Sequence, residues 1–190
     1  MNRVALLLTL ALAACSAPAA MPPLAGAKIG GPFTLIDQNG ATVTERSFPG
    51  QYRIMYFGYT FCPDVCPTDV ANLARGLKAF AKVDPARAER LKLIFVSVDP
   101  ARDTPAAVGE FAAAFSPKLI GLTGTEAQVA EASKMFKGFY SKGEPTKDGG
   151  YLMDHARIAY LMDPQGKPLA ILPIDQTPDA VAESLAKWTS

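Results

Sequence analysis

Cys62 and Cys66 stand four positions apart in the run Tyr59-Thr60-Phe61-Cys62-Pro63-Asp64-Val65-Cys66-Pro67, and His155 is the only histidine of the 190 residues. Two soft thiolates on one turn of helix, with one imidazole to join them, can bind a metal ion or form a redox switch. Positions i and i+4 of a helix carry Cβ atoms about 5–6 Å apart. That is within reach of a disulfide, whose Cα atoms lie ~4.4–6.8 Å apart. It also suits one ion between two sulfurs, at ~2.3 Å each with zinc as the yardstick. Pro67 has no N–H, which costs little in a first helical turn and much further in. The pair is therefore expected at a helix N-terminus, where exposed N–H groups and the helix dipole favour thiolate over thiol. A purely structural disulfide would close only a few residues and stabilise little, and it would give no reason for the surrounding prolines and aromatics.

His155 alone says less, since a single histidine is commonly a surface or satisfied core residue. Here it falls between a loop and a strand. Asp154 beside it either orients the ring from a second shell or is plain loop surface. Two thiolates and an imidazole suit Cu(I) and also Zn(II). Copper heads the affinity order of the divalent ions and thiolates stabilise Cu(I), so the chemistry favours copper modestly.

The elements that must position these groups can be read from periodicity. Residues 33–43 form a hairpin, since Asn39-Gly40 separates two β-prone stretches. Residues 53–58 are an aromatic and β-branched strand running straight into the cysteine motif. Val70, Leu73, Leu77 and Phe80 recur at helical spacing after it. Residues 91–98 are almost wholly apolar, as in a strand covered on both faces. Thr104-Pro105 opens a helix with Val108, Phe111, Ala112 and Phe115 on its apolar face. Thr125-Glu126-Ala127-Gln128 is a capping box for another, with Val129, Ala132, Phe136 and Phe139 inward. Residues 141–154 lack periodicity and are expected as a loop. Strands at 158–162 and 169–172 flank the turn Asp163-Pro164-Gln165-Gly166, and Thr177-Pro178 starts a last helix. The order β-hairpin, β-α-β-α-α, β-β-α predicts an α/β fold: a thioredoxin-like central sheet flanked by helices, with an added N-terminal β-hairpin.

The first residues are set apart. A basic start at Arg3, an apolar stretch over 4–12 and small residues before Cys15 have the pattern of a secretory signal, too short for the ~20 residues that span a bilayer. A cysteine at the cut site is the mark of a bacterial lipoprotein box. The expected organisation is a signal peptide over 1–14, lipidation of Cys15, a flexible Ala/Pro-rich tether over 15–28 and one domain over 29–190. Cys15 as anchor leaves Cys62 and Cys66 as a pair. Loss of 1–14 removes Arg3 and no acid, leaving 18 Lys and Arg against 18 Asp and Glu, a net charge of zero. With no basic run interleaved with aromatics, nucleic-acid binding has no electrostatic footing. Metals and proteins are the expected partners.

Taken together, Gly58-Tyr59-Thr60-Phe61-Cys62-Pro63-Asp64-Val65-Cys66-Pro67, then Val96-Ser97-Val98-Asp99-Pro100 with Asp103-Thr104-Pro105, Phe115-Ser116-Pro117, Leu122-Thr123-Gly124-Thr125 and Asp154-His155 resemble the Sco/SenC family of copper-binding, thioredoxin-like proteins. They fall in order across most of the chain beyond the tether. The resemblance implies copper, as Cu(I) or Cu(II), bound by Cys62, Cys66 and His155. It implies delivery of that copper to the CuA-bearing subunit of cytochrome c oxidase or another copper protein, or reduction of thiols there. It also implies a bacterial cell-envelope location facing the periplasm. Many relatives are held by an N-terminal transmembrane helix, whereas here the lipoprotein box supplies the membrane anchor; Ser16 leaves inner or outer membrane open.

Two functions compete. In a copper chaperone the three side chains are ligands, and metal loading requires the reduced pair. In a periplasmic thiol–disulfide oxidoreductase without stored metal, Cys62 is the nucleophile of a Cys62/Cys66 redox pair, although the usual spacing is one residue shorter. Tyr56, Phe57, Tyr59 and Phe61 form either a docking surface or core packing, and Lys137, Lys142 and Lys147 either steer an acidic partner or are a solvated face.

Overall fold

The computed structural model describes residues 20–190 apart from Asp148, so the expected signal peptide and Cys15 lie outside the described residues. Strands β1 (Thr34–Asp37) and β2 (Thr42–Thr44) pair antiparallel around Asn39-Gly40. Then follow β3 (Tyr52–Gly58), α1 (Val65–Val83), the short α2 (Pro85–Glu89), β4 (Leu91–Ser97), α3 (Pro105–Phe115), β5 (Ile120–Thr123) and α4 (Glu126–Met135). A ribbon of β6 (Tyr140–Pro145) and β7 (Tyr151–His155) comes next, before β8 (Ala159–Met162), β9 (Pro168–Ile171) and α5 (Pro178–Trp188). The main sheet has the order β2-β1-β5-β4-β3-β8-β9, with β3, β4 and β5 parallel at its centre.

Alternation along β3 sends its side chains to both faces of the sheet. The Tyr56 hydroxyl meets Asp69 of α1 while its ring stacks near Phe95, which touches Phe111 of α3. Phe57, one residue on, faces the other way and packs on Phe136 just beyond α4. All seven residues of β3 are buried, as a central strand covered on both faces demands. Helix starts follow the expected chemistry: Thr104, Thr125 and Thr177 each accept an N–H from the first turn, and Thr125 closes a capping box with Gln128.

Several expectations are corrected. Residues 141–154 are not a loop but most of the β6–β7 ribbon, whose register shifts between Lys142 and Pro145. Among its side chains only Met153 is buried, so the ribbon carries no apolar alternation to read. Phe139 points outward, 64% exposed: α4 stops at Met135, and Lys137 with φ +54° turns the chain out of the helix. The short β5 and α2 had no separate expectation. Within the 15–28 stretch, Leu24 donates its N–H to Leu169 of β9 and packs on the core.

The contact between α1 and α5 rests on Gly76. A Cβ there would lie 2.6 Å from the Val181 Cβ and 3.0 Å from the Pro178 carbonyl. Alanine gains ~0.8–1.0 kcal/mol of helix propensity over glycine, but overpacking costs ~1–3 kcal/mol when, as here, the neighbours are a β-branched stem and backbone. Gly76→Ala is therefore expected to lower the thermal midpoint measured by circular dichroism. A raised midpoint would show that α5 yields freely.

Candidate metal centre

Helix α1 begins with its donors open. Asp64 stands at the N-cap but its side chain makes no capping bond. The sulfur of Cys62 does this work: the Cys66 N–H donates to Cys62 Sγ over 3.3 Å. Cys62 thus lies in the turn before the helix, not on its first turn as the spacing suggested. Burial pushes its thiol up, but the N–H groups of Asp64, Cys66 and Val65 and the neighbouring Cys66 thiol outweigh this and hold it below the ordinary value.

Cys66 is the opposite case. It is completely buried, with its sulfur 3.0 Å from where a Cβ on Gly58 would stand. Burial pushes its thiol up to about 12, with the adjacent Cys62 adding to the rise. Both cysteines are free thiols. The two are chemically distinct, the Cys62 thiol ionising more readily than an ordinary one and the Cys66 thiol far less so.

His155, the last residue of β7, brings its Nε2 to 3.3 Å from Cys66 Sγ. Its Nδ1 is 3.2 Å from the Ala156 carbonyl. A carbonyl can only accept, so the network assigns the proton to Nδ1 and leaves the Nε2 lone pair facing the sulfur. Burial lowers the imidazole pKa, while the Ala156 carbonyl, Asp69 and Asp154 oppose it, and the net effect favours the neutral ring. Tyr56 and Tyr59 meet the ring edge-on at centroid distances of 6.5 and 5.9 Å. Asp154 lies exposed on β7; the group that bonds Nδ1 is Ala156, and Asp154 acts on the ring only through space.

Sequence reasoning missed the polar frame. Asp69, fully buried in α1, accepts from the Tyr56 hydroxyl at 3.0 Å and from Arg157 Nε and Nη2 at 2.7 and 2.5 Å. It ties the chain two residues beyond His155 to the helix bearing Cys66. Asp103 accepts from the Thr60 N–H, the Thr60 hydroxyl and the Ser97 hydroxyl at 3.0, 2.6 and 2.5 Å, fixing the turn before Cys62 onto the end of β4. Burial pushes the Asp103 carboxyl up against these stabilising bonds. Asp99, Arg102 and Asp103 clustered behind an almost wholly apolar strand were the available signal. Of the four aromatics singled out, Tyr56, Phe57 and Tyr59 are core, and only Phe61 is exposed. Lys142 lies over the Tyr151 ring, its Nζ 3.9 Å from the centroid.

A family model described as SCO1/SenC matches residues 22–190. The chain belongs to the SCO1/SenC family. It is 44% identical over 161 residues to Protein SenC of Rhodobacter capsulatus, covering 85% of this chain and 71% of that one. It is 42% identical over 144 residues to the mitochondrial SCO1 homolog 1 of Arabidopsis thaliana, covering 75% of this chain and 42% of the relative, so it spans less than half of that protein. Among solved structures, Bradyrhizobium japonicum ScoI with copper bound aligns with a TM-score of 0.75 at 42% identity, over 84% of this chain and 99% of that one. The frame around Cys66 and His155 in this SCO1/SenC chain is thus set in a fold that its relatives share.

The thiol asymmetry predicts a pH-dependent reactivity. A lowered pKa puts thiolate on Cys62 at a pH below the ordinary thiol value of 9.0, whereas Cys66 ionises only near 12. Timed iodoacetamide labelling read by mass spectrometry should modify Cys62 first at neutral pH, with Cys66 following only after unfolding. Equal rates in the folded protein would contradict the assignment.

Proposed function

We propose that this chain is a copper chaperone that holds one copper ion through Cys62, Cys66 and His155 and passes it to the CuA-bearing subunit of cytochrome c oxidase or another copper protein. The observation that carries the reading is the Nε2 lone pair of His155 facing the Cys66 sulfur at 3.3 Å. A metal ion takes the place of the Cys66 proton and uses that lone pair without a change of tautomer. Two sulfurs and one imidazole form a donor set that copper favours, the thiolates suiting Cu(I) and the nitrogen adding affinity for Cu(II). Among the described residues no three His, Cys, Asp or Glu side chains already converge as a cage. Cys62 caps α1 with its sulfur, and the N–H groups that favour its thiolate leave lone pairs free for a metal ion.

The same asymmetry supports a second reading, a periplasmic thiol–disulfide oxidoreductase in which the Cys62 thiolate attacks and Cys66 resolves. Its reductase activity would survive His155→Ala. For location, we place the protein in the bacterial cell envelope, held by a lipid on Cys15 and facing the periplasm. No helix among the described residues is long and apolar enough to cross a membrane.

The test is titration of the reduced protein with copper, with zinc as competitor. One equivalent of copper should bind in preference to zinc, with sulfur-to-Cu(II) charge-transfer absorption. Cys62→Ser and Cys66→Ser should abolish tight binding, and His155→Ala should weaken Cu(II) by about tenfold or more, ~1.4 kcal/mol. Copper affinity indifferent to His155 would turn the choice to the oxidoreductase.

A further inference from the structure

The β6–β7 ribbon that carries His155 lies outside the main sheet, and a two-stranded ribbon is marginal by itself. Its position depends on side-chain ties at both ends of β7. Arg157 and Asp69 form the tie just past His155. The other is at Tyr151, the first residue of β7, and it is made by Arg102 from the loop between β4 and α3.

Arg102 Nε donates to Asp99, and its Nη1 donates to the Tyr151 carbonyl over 3.0 Å. The Tyr151 hydroxyl donates to the other oxygen of Asp99 over 2.8 Å, so one residue of the ribbon is held by backbone and side chain at once. Asp99 is buried, 3% exposed, which shields the ion pair from solvent. The guanidinium carbon lies 3.6 Å from the centroid of the Tyr151 ring and 4.7 Å from that of Phe61, the residue before Cys62. It is also 5.8 Å from the centroid of Tyr59, the ring that meets His155 edge-on. One planar cation therefore touches the turn bearing Cys62, the ring against His155 and the root of the His155 strand. Lysine cannot replace it, because the bridge needs two N–H vectors in one plane and a flat face for stacking.

We propose that Arg102 is a positioning residue of the metal centre: it locks the His155 strand to the Cys62 turn and so sets how tightly the site holds Cu(II) relative to Cu(I). The distinction follows from the ligands. Two thiolates suffice for Cu(I), whereas Cu(II) depends more on a correctly aimed imidazole. The inference rests on the copper reading for its affinity readout but not for its geometry.

The experiment compares wild type, Arg102→Gln, Arg102→Lys, His155→Ala and the Arg102→Gln/His155→Ala double variant. Arg102→Gln should weaken Cu(II) about tenfold or more, as loss of groups that orient ligands does, and shift the charge-transfer band. Cu(I) affinity should stay within about threefold, since an imidazole missing from a two-thiolate site costs less. Arg102→Lys keeps the charge and the fold and should fail to restore Cu(II) affinity. In the His155→Ala background Arg102→Gln should cost nothing further, because Arg102 acts through the ring. The same loss in both backgrounds, or an equal fall for both ions, would overturn the proposal. A metal-free readout separates it from the copper reading: the single histidine should show 15N shifts of the Nδ1–H tautomer in wild type and tautomer mixing in both Arg102 variants. Unchanged 15N shifts overturn the proposal even if copper binds. Altered shifts sustain the positioning of His155 by Arg102 even if wild type binds no copper; in that event the copper reading fails, and the Cu(II)-over-Cu(I) part of the proposal fails with it.

Discussion

The site depends on the seat of the Cys66 sulfur. It lies against the backbone of Gly58, where any Cβ would come within 3.0 Å of the sulfur and of Tyr56 and 3.1 Å of Phe95. That close approach lets β3 end directly under α1, and it removes Cys66 from water. From burial follows the raised thiol, from the thiol its hydrogen bond with His155, and from that bond the aim of the one imidazole. Cys62, one turn away in sequence, has the opposite chemistry because its sulfur meets the open N–H groups at the helix start. A single strand-to-helix junction thus produces two thiols of different character.

Around that seat the buried carboxylates gather their partners into small sets, with Arg102 Nη2 left without a partner in one of them. Asp69 binds Tyr56 and Arg157; Asp103 binds Thr60 and Ser97; Asp99 binds Arg102 and Tyr151. Each carboxylate joins a different pair of elements, and each pair includes a segment next to Cys62, Cys66 or His155. Charges in such surroundings are weak evidence for stability, because desolvation offsets most of the attraction. Their value here is directional: they hold a small ribbon and a turn where packing alone would leave both free to shift.

Much of this was legible in the sequence where local physics decides. The Thr-Pro starts, the Thr125 box and the apolar strand over 91–98 are governed by neighbours within a few residues, and they appear where those rules put them. The cysteine pair and His155 were legible as chemistry. Illegible was whatever depends on distant partners. The ribbon of β6 and β7 has a largely polar sequence: Met153, Tyr140 and Tyr151 are its apolar contacts with the core, and Arg102 and Arg157 tie its ends. Asp99 and Asp103 read as family marks without roles, since their partners Tyr151 and Thr60 lie 52 and 43 residues away. The outward turn of Phe139 followed from the left-handed Lys137, which no periodicity announces.

The functional picture is of a protein whose candidate ligands stand as neighbours in the reduced state, with Cys66 and His155 already aligned and Cys62 engaged as a helix cap. Under the proposed function, copper would be held by these three side chains, taking the place of the Cys66 proton. X-ray absorption on the copper-loaded protein tests this account most directly. It predicts one copper per chain with two sulfur scatterers and the outer-shell signature of one imidazole, the latter lost in His155→Ala. A copper coordinated by sulfur alone, or an imidazole-free spectrum already in wild type, would contradict it.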